Sequence, residues 1–246
     1  MSGQAEYSNS RQKAAAIIPA AGAGVRMQTN RPKQFLDLDG RPVLAFTLER
    51  FQECPIIDRI ILVTSEQDVA YAKKEIVGKY HVTKVEKVVA GGERRQDSVR
   101  LGLEALEADD GLVLIHDGVR PLVPAELIVR VIDAAKEHRA VITALPAKET
   151  VKEVDENALV VKTYERRKVW LVQTPQVFRY EDILMAHHRA VQEGWEEATD
   201  DALLMEKAGI PVKVLEGSED NIKVTTPQDL ELARFLLKGR RLKVRG

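Results

Sequence analysis

Apolar residues along this chain gather in short blocks whose period switches back and forth. Ala14–Ile18, Arg59–Thr64, Val85–Val89, Leu112–His116 and Ala140–Leu145 are apolar-rich runs of strand length. Between them, Val43–Gln52, Gln67–Val77, Gln96–Glu107 and Ala125–His138 carry apolar residues at helical spacing. Short strands separated by helices of about ten or more residues predict crossover units and an α/β fold with a mostly parallel sheet flanked by helices. Pro124 and Pro227 stand where helices begin, a position that tolerates a missing N–H.

The pattern breaks between Lys148 and Leu171. There Thr150-Val-Lys-Glu-Val and Leu159-Val-Val-Lys-Thr-Tyr alternate in period two around Asp155-Glu156-Asn157, which predicts a β-hairpin. Beyond it the spacing predicts helices over Tyr180–Glu193 and Asp200–Ala208, a strand over Val212–Leu215 and a last helix from Pro227. The closing basic run Lys238–Arg245 reads as a frayed helix end, where cations suit the dipole.

Composition narrows the class. With 37 Lys and Arg against 38 Asp and Glu, the net charge of -1 leaves no basic excess for coating nucleic acid. Hydrophobic content of 44% argues against disorder. The lone Cys54 excludes an internal disulfide and fits a reducing cytoplasm. The segment from Met1 to Lys13 is polar and reads as a loose tail rather than a signal peptide, and no run is apolar and long enough to span a bilayer. A chain of 246 residues has room for one large α/β domain or two small ones.

Candidate chemistry lies in the connections. After the first strand come Pro19-Ala20-Ala21-Gly22-Ala23-Gly24-Val25-Arg26-Met27 and then Arg31-Pro32-Lys33-Gln34-Phe35. Residues without bulk let backbone N–H groups approach phosphate oxygens, and Arg26 and Lys33 add full charges. The loop is neither a Walker A loop, which needs Lys-Ser/Thr after its second glycine, nor a dinucleotide fingerprint, whose third small residue is replaced by Met27. Gly91-Gly92-Glu93-Arg94-Arg95-Gln96-Asp97-Ser98 is either a turn with a helix cap or a flat pocket for a base, with Ser98 offering a hydroxyl. Asp117, in His116-Asp117-Gly118-Val119-Arg120-Pro121, leaves the carboxyl end of a central strand; it serves as a Mg²⁺ ligand or pairs structurally with Arg120. His116 reads as structural, since nothing in the pattern partners it as a base. Lys223, opposite to Ile222 and Val224 in alternation, faces solvent or a cleft. Arg166-Arg167-Lys168 reads alone as a solvated charge run, Gln173-Thr174-Pro175-Gln176 as a turn, and Thr199-Asp200 as a helix cap.

Taken together, Ala20 to Met27, Pro32-Lys33-Gln34-Phe35, His116 to Pro121, Thr174-Pro175-Gln176-Val177-Phe178 and Asn221-Ile222-Lys223-Val224-Thr225 resemble the 2-C-methyl-D-erythritol 4-phosphate cytidylyltransferases. The likeness runs from about Lys13 to Leu237. Its first loop marks the wider sugar-nucleotide transferase superfamily, and the later segments narrow it. The resemblance implies a Rossmann-like domain over 13–246 behind a disordered tail at 1–12. It implies transfer of the cytidylyl group of CTP to 2-C-methyl-D-erythritol 4-phosphate, with Mg²⁺ or another divalent cation, in non-mevalonate isoprenoid synthesis. Arg26, Lys33 and Lys223 would be catalytic and Asp117 would hold the metal. Ala20, Ala21, Gly92, Glu93 and Ser98 would line the cytosine pocket, and Gly22 and Gly24 the triphosphate loop. Arg120, Arg166, Thr174 and Thr199 would bind the acceptor. The 148–171 hairpin would be an arm that embraces a second subunit and carries Arg166, or Arg167 beside it, to the neighbour's site. Gly118-Val119 departs from the two alanines common in the family, with both residues still small or apolar. Ribitol-phosphate cytidylyltransferases carry the same motifs. A reading of another class is a non-catalytic nucleotide-binding protein of the same fold, against which Arg26, Lys33, Asp117 and Lys223 are all present.

Overall fold

In the computed structural model, which describes residues 14–22, 32–106, 111–195 and 198–244, the sheet opens with β1 (Ala14–Pro19). Successive residues of β1 face opposite ways: Ala14, Ala16 and Ile18 join one hydrophobic cluster, Ala15 and Ile17 another. In β4 (Ile57–Thr64), Ile60 and Leu62 face away from Ile61 and Val63; in β6 (Leu112–Ile115), Leu112 and Leu114 face away from Val113 and Ile115. Both faces of these strands are covered, which is why they read as apolar runs and not as alternation.

The remaining strands of this sheet are β5 (Val85–Ala90), β7 (Ala140–Pro146), β10 (Trp170–Arg179) and β11 (Lys213–Glu216). The seven lie in the order β11-β7-β10-β6-β1-β4-β5. β1 pairs in parallel with β4 and β6, β4 with β5, and β7 with β11, while β10 runs antiparallel between β6 and β7. The expected mostly parallel sheet is therefore present. The expected turn at Gln173–Gln176 is not: these residues lie inside β10. Proline has no N–H for the ladder, and β10 accommodates Pro175 with a register shift between Gln173 and Gln176, beside a cis Thr174–Pro175 bond. A small pair, β2 (Asp37–Leu38) and β3 (Arg41–Pro42), stands apart, as does the hairpin of β8 (Lys152–Val154) and β9 (Val160–Thr163), at the place the alternation predicts.

Helices cover both faces. α1 (Val43–Glu53) and α4 (Ala125–Ala134) bring Leu44, Leu48, Phe51, Leu127, Ile128 and Val131 to the first cluster. Where one helix is expected over Gln67–Val77, the chain instead forms α2 (Val69–Tyr71) and then wider turns over Ala72–Gly78 that keep Ala72 and Ile76 buried. On the other face lie α3 (Arg95–Glu104), α5 (Tyr180–Gln192) and α6 (Asp201–Lys207). They supply Val99, Leu103, Ile183, Ala186, Leu204 and Met205. α3 sits unusually close to the sheet: a Cβ on its Gly102 would lie 2.7 Å from Ile17 Cγ2 and 2.9 Å from Val63 Cγ2. The last helix, α7 (Pro227–Val244), starts at the expected proline and packs Ala233 and Leu237 with Leu38, Val43 and Val224 in a third cluster. No helix among the described residues is long and apolar enough to cross a membrane.

Candidate active site: two clefts that share three charged side chains

Parallel strands end together, so the segments after β1, β5 and β6 converge at one edge of the sheet, where α/β folds place ligands. Ala20, Ala21 and Gly22 from the first segment, Gly92, Glu93 and Ser98 from the second, and Lys33, Asp117 and Lys223 line one cleft of about 330 Å³. Most of the residues expected to hold a nucleotide are thus brought together, in a volume typical of small-molecule sites. Lys33 begins a short 3-10 turn (Lys33–Phe35), and its Nζ is 3.9 Å from where a Cβ on Gly22 would lie. Arg26 and Gly24 fall outside the described residues.

The Gly91–Gly92 pair is required by close packing. A Cβ at Gly91 would lie 2.5 Å from Ser98 Oγ, and one at Gly92 would lie 2.4 Å from Asp97 Cβ. Any larger residue would push the loop off the start of α3. Ser98 is buried, and its hydroxyl accepts from Gly92 N at 3.2 Å and lies 3.2 Å from Arg94 O. The expected donor to a base edge therefore also holds the loop that would frame the base.

Asp117 is the centre of the charge arrangement. Its side chain is 8% exposed and meets Arg95 Nε at 3.2 Å, Lys223 Nζ at 3.0 Å and Arg120 Nε at 3.3 Å. Burial alone would raise this carboxyl, but Arg95, Lys223 and Arg120 together outweigh it and hold it well below its ordinary range. Lys223 thus faces the cleft, the less ordinary of its two alternatives. Arg120 also donates from Nη1 to Asn221 O at 2.7 Å, tying the β6 end to the segment that carries Lys223.

His116 is structural, as its lack of a partner pattern implied. It is fully buried, with Nε2 3.2 Å from Arg120 O and Nδ1 3.1 Å from Thr174 Oγ1. Burial lowers its imidazole from 6.5 to about 4. A neutral ring satisfies both contacts with Nε2–H donating to the carbonyl and Nδ1 accepting from the hydroxyl. Thr174 Oγ1 then accepts from Asp117 N at 3.1 Å, so His116 orients the hydroxyl that fixes Asp117.

A second cleft of about 400 Å³ continues from the first. It gathers Arg120, Thr174 and Thr199, all expected at the acceptor site, with Gln173, Gln176 and Asp200 around them. Asp200 caps α6 by accepting from Leu203 N at 3.1 Å, as its helix-start position predicts, and takes a bond from Gln176 Nε2 at 2.9 Å. Arg166 is not among the residues brought here: it lies in the exposed turn Arg166–Lys168 and donates to Lys148 O at 2.7 Å.

Arg95, Asp117 and Lys223 line both clefts. Arg95 is the residue that the sequence did not single out. It follows Arg94 in a segment that reads as a turn, and its partners Asp117 and Asp201 are remote in sequence, at separations of 22 and 106 residues. Its place at the first turn of a helix, just past the glycine pair, was the available signal. Among the described residues no group of three or more His, Cys, Asp or Glu side chains could hold a metal alone. One hard carboxylate beside a cluster of cations fits Mg²⁺, which takes few protein ligands and completes its shell with phosphate oxygens and water.

The model of the family "2-C-methyl-D-erythritol 4-phosphate cytidylyltransferase" matches residues 14–239. The protein of that name from Syntrophus aciditrophicus is 48% identical over 226 residues, covering 92% of this chain and 96% of the relative. The one from Geotalea uraniireducens is 45% identical, covering 91% and 96%. Among solved structures, 4-diphosphocytidyl-2C-methyl-D-erythritol synthase from Anaerococcus prevotii superposes with a TM-score of 0.81 at 36% identity, covering 93% of this chain and 97% of that one. The chain belongs to the 2-C-methyl-D-erythritol 4-phosphate cytidylyltransferase family.

Proposed function

We propose that this chain transfers the cytidylyl group of CTP to the phosphate of 2-C-methyl-D-erythritol 4-phosphate, giving 4-diphosphocytidyl-2-C-methyl-D-erythritol and pyrophosphate. One observation carries the reading at this site: two clefts share Arg95, Asp117 and Lys223, so two anionic ligands would meet at a cationic junction. The chemistry needs no side-chain nucleophile, because the acceptor phosphate is already ionised. The obstacles are repulsion between two anions, alignment, and charge gathering on the α-phosphorus, and fixed cations address all of them.

The first cleft takes CTP. Ala20, Ala21, Gly92, Glu93 and Ser98 frame cytosine, and Gly22 and Gly24 leave room for the triphosphate. Arg26 and Lys33 neutralise the triphosphate and the departing pyrophosphate, and Lys223 leaves Asp117 for the α-phosphate. Arg120, Thr174 and Thr199 hold the acceptor in the second cleft. Asp117, with phosphate oxygens and water, would hold Mg²⁺, which when bound supplies further neutralisation of the triphosphate.

The hairpin serves as a dimer arm. Val154, Leu159, Val160 and Val161 are 51–66% exposed there, and Leu171 and Val172 of β10 are exposed as well. A two-stranded hairpin is marginal alone in water, so a second copy covering these side chains explains its composition. The arm would then carry Arg166 to the neighbour's acceptor site. The chain from 13 to 246 acts as one catalytic domain, and the free buried thiol of Cys54 suits the cytoplasm.

Pyrophosphate release with CTP and each acceptor tests the substrate. Preference for methylerythritol phosphate is expected, and preference for ribitol phosphate overturns that choice. Binding of CTP with no release under either acceptor overturns catalysis itself.

A further inference from the structure

A line of hydrogen-bonded polar side chains runs inward from the junction of the clefts. Asp117 Oδ1 receives Arg95 Nε at 3.2 Å; Arg95 Nη1 reaches Asp201 Oδ2 at 2.8 Å; Asp201 Oδ1 meets His187 Nε2 at 3.2 Å. Each of the last three residues comes from a different helix, α3, α6 and α5. The Asp201 and His187 side chains are 1% and 0% exposed and line neither cleft. They touch no substrate directly.

Their cost needs a reason. A buried ion pair is weak evidence for stability, since well-packed apolar residues of the same volume often do as well. His187 Nδ1 has no hydrogen-bond partner among the described residues, so the contact with Asp201 is the ring's one polar tie. That ring serves Asp201, and Asp201 serves Arg95. A guanidinium held by one carboxylate at Nε and another at Nη1 has its plane fixed, which a lysine ammonium could not reproduce. Among the described residues the third nitrogen, Nη2, makes no hydrogen bond, and the side chain is 23% exposed where the clefts join.

We propose that Asp201, steadied by His187, is a positioning residue that holds the Arg95 guanidinium at the junction of the clefts, where Nη2 binds the phosphate groups of both substrates. The proposal rests on the cytidylyl-transfer reading. Asp117 fixes one end of the guanidinium and also pairs with Lys223, so Arg95 and Lys223 flank the carboxylate that both clefts share.

The test is a double-mutant cycle in kcat, with KM for each substrate measured alongside. Arg95→Ala should lower kcat about a hundredfold, the loss typical of one donor aimed at a developing charge. Asp201→Asn should lower kcat about tenfold in the wild type and leave it unchanged when added to Arg95→Ala, because its effect passes through Arg95. Millimolar guanidinium should restore part of the activity of Arg95→Ala and none of that of the double variant. His187→Leu, which removes the partner of Asp201 at similar volume, should show the same pattern more weakly, and it replaces Asp201→Asn in the cycle if that variant does not fold. Equal losses from Asp201→Asn in both backgrounds, or wild-type kcat in Arg95→Ala, would overturn the proposal. A wild-type protein that releases no pyrophosphate overturns the underlying reading instead.

Discussion

Asp117 and His116 stand side by side at the end of β6, and burial acts on them in opposite ways. The carboxylate stays charged because three cations surround it; the imidazole stays neutral because burial disfavours its charged form by more than its contacts with a carbonyl and a hydroxyl favour it. This difference predicts a pH dependence of stability. With the His116 imidazole lowered from 6.5 to about 4, the unfolded chain takes up a proton between those values that the folded chain refuses. Stability from this group is therefore full above about pH 6.5 and is lost as pH falls toward 4, by about 3 kcal/mol in all at ~1.4 kcal/mol per pH unit. Urea unfolding of the wild type and of His116→Gln isolates it from other titrating groups. Between about pH 7 and about pH 4.5 the wild type should lose about 2 kcal/mol more than the variant, and parallel losses would contradict the assignment. Legibility at this scale was uneven. The small residues after β1 were legible from residue type and position, while the glycine pair, Asp117 and Lys223 each kept a bland alternative that only the resemblance tipped. Arg95 and Asp201 were not legible, because their meaning lies in a contact between residues 106 apart.

Elements were easiest to read where both faces are buried. β1 needs apolar residues at every position, and the composition of such a strand leaves little ambiguity. β10 was hidden by its own Thr174-Pro175, which has the chemistry of a turn and the structure of a bulged strand. The packing of α3 gives a sharp test. Gly102→Ala would gain ~1 kcal/mol of helix propensity on the usual scale. The added Cβ would lie 2.7 Å from Ile17 and 2.9 Å from Val63, both fully buried on central strands that cannot retreat. Overpacking of this kind costs about 1–3 kcal/mol and wins. The variant should be destabilised by up to ~2 kcal/mol in chemical denaturation, and stabilisation would show that α3 stands off the sheet. Because α3 carries Arg95 at its first turn, the same variant should also disturb the site.

For the whole molecule, the fold brings segments remote in sequence together at one edge of the sheet, and the hairpin extends apolar side chains into solvent. If the arm is a dimer contact, Leu159→Lys with Val161→Lys should shift sedimentation from dimer to monomer while leaving the circular dichroism of the sheet and helices in place. An unchanged dimer would assign the contact to another surface. The two clefts bear on a stronger statement, since on the proposed reading they would set the direction of attack: acceptor phosphate onto the α-phosphorus of CTP, with pyrophosphate leaving. Phosphorus NMR of the reaction, run with a heavy-oxygen label in the acceptor phosphate, tests this most directly. The account predicts that both phosphorus signals of the diphosphodiester product shift, because the bridging oxygen comes from the acceptor, and that pyrophosphate emerges unlabelled. Label in the pyrophosphate, or CTP consumed with no diphosphodiester formed, would contradict it.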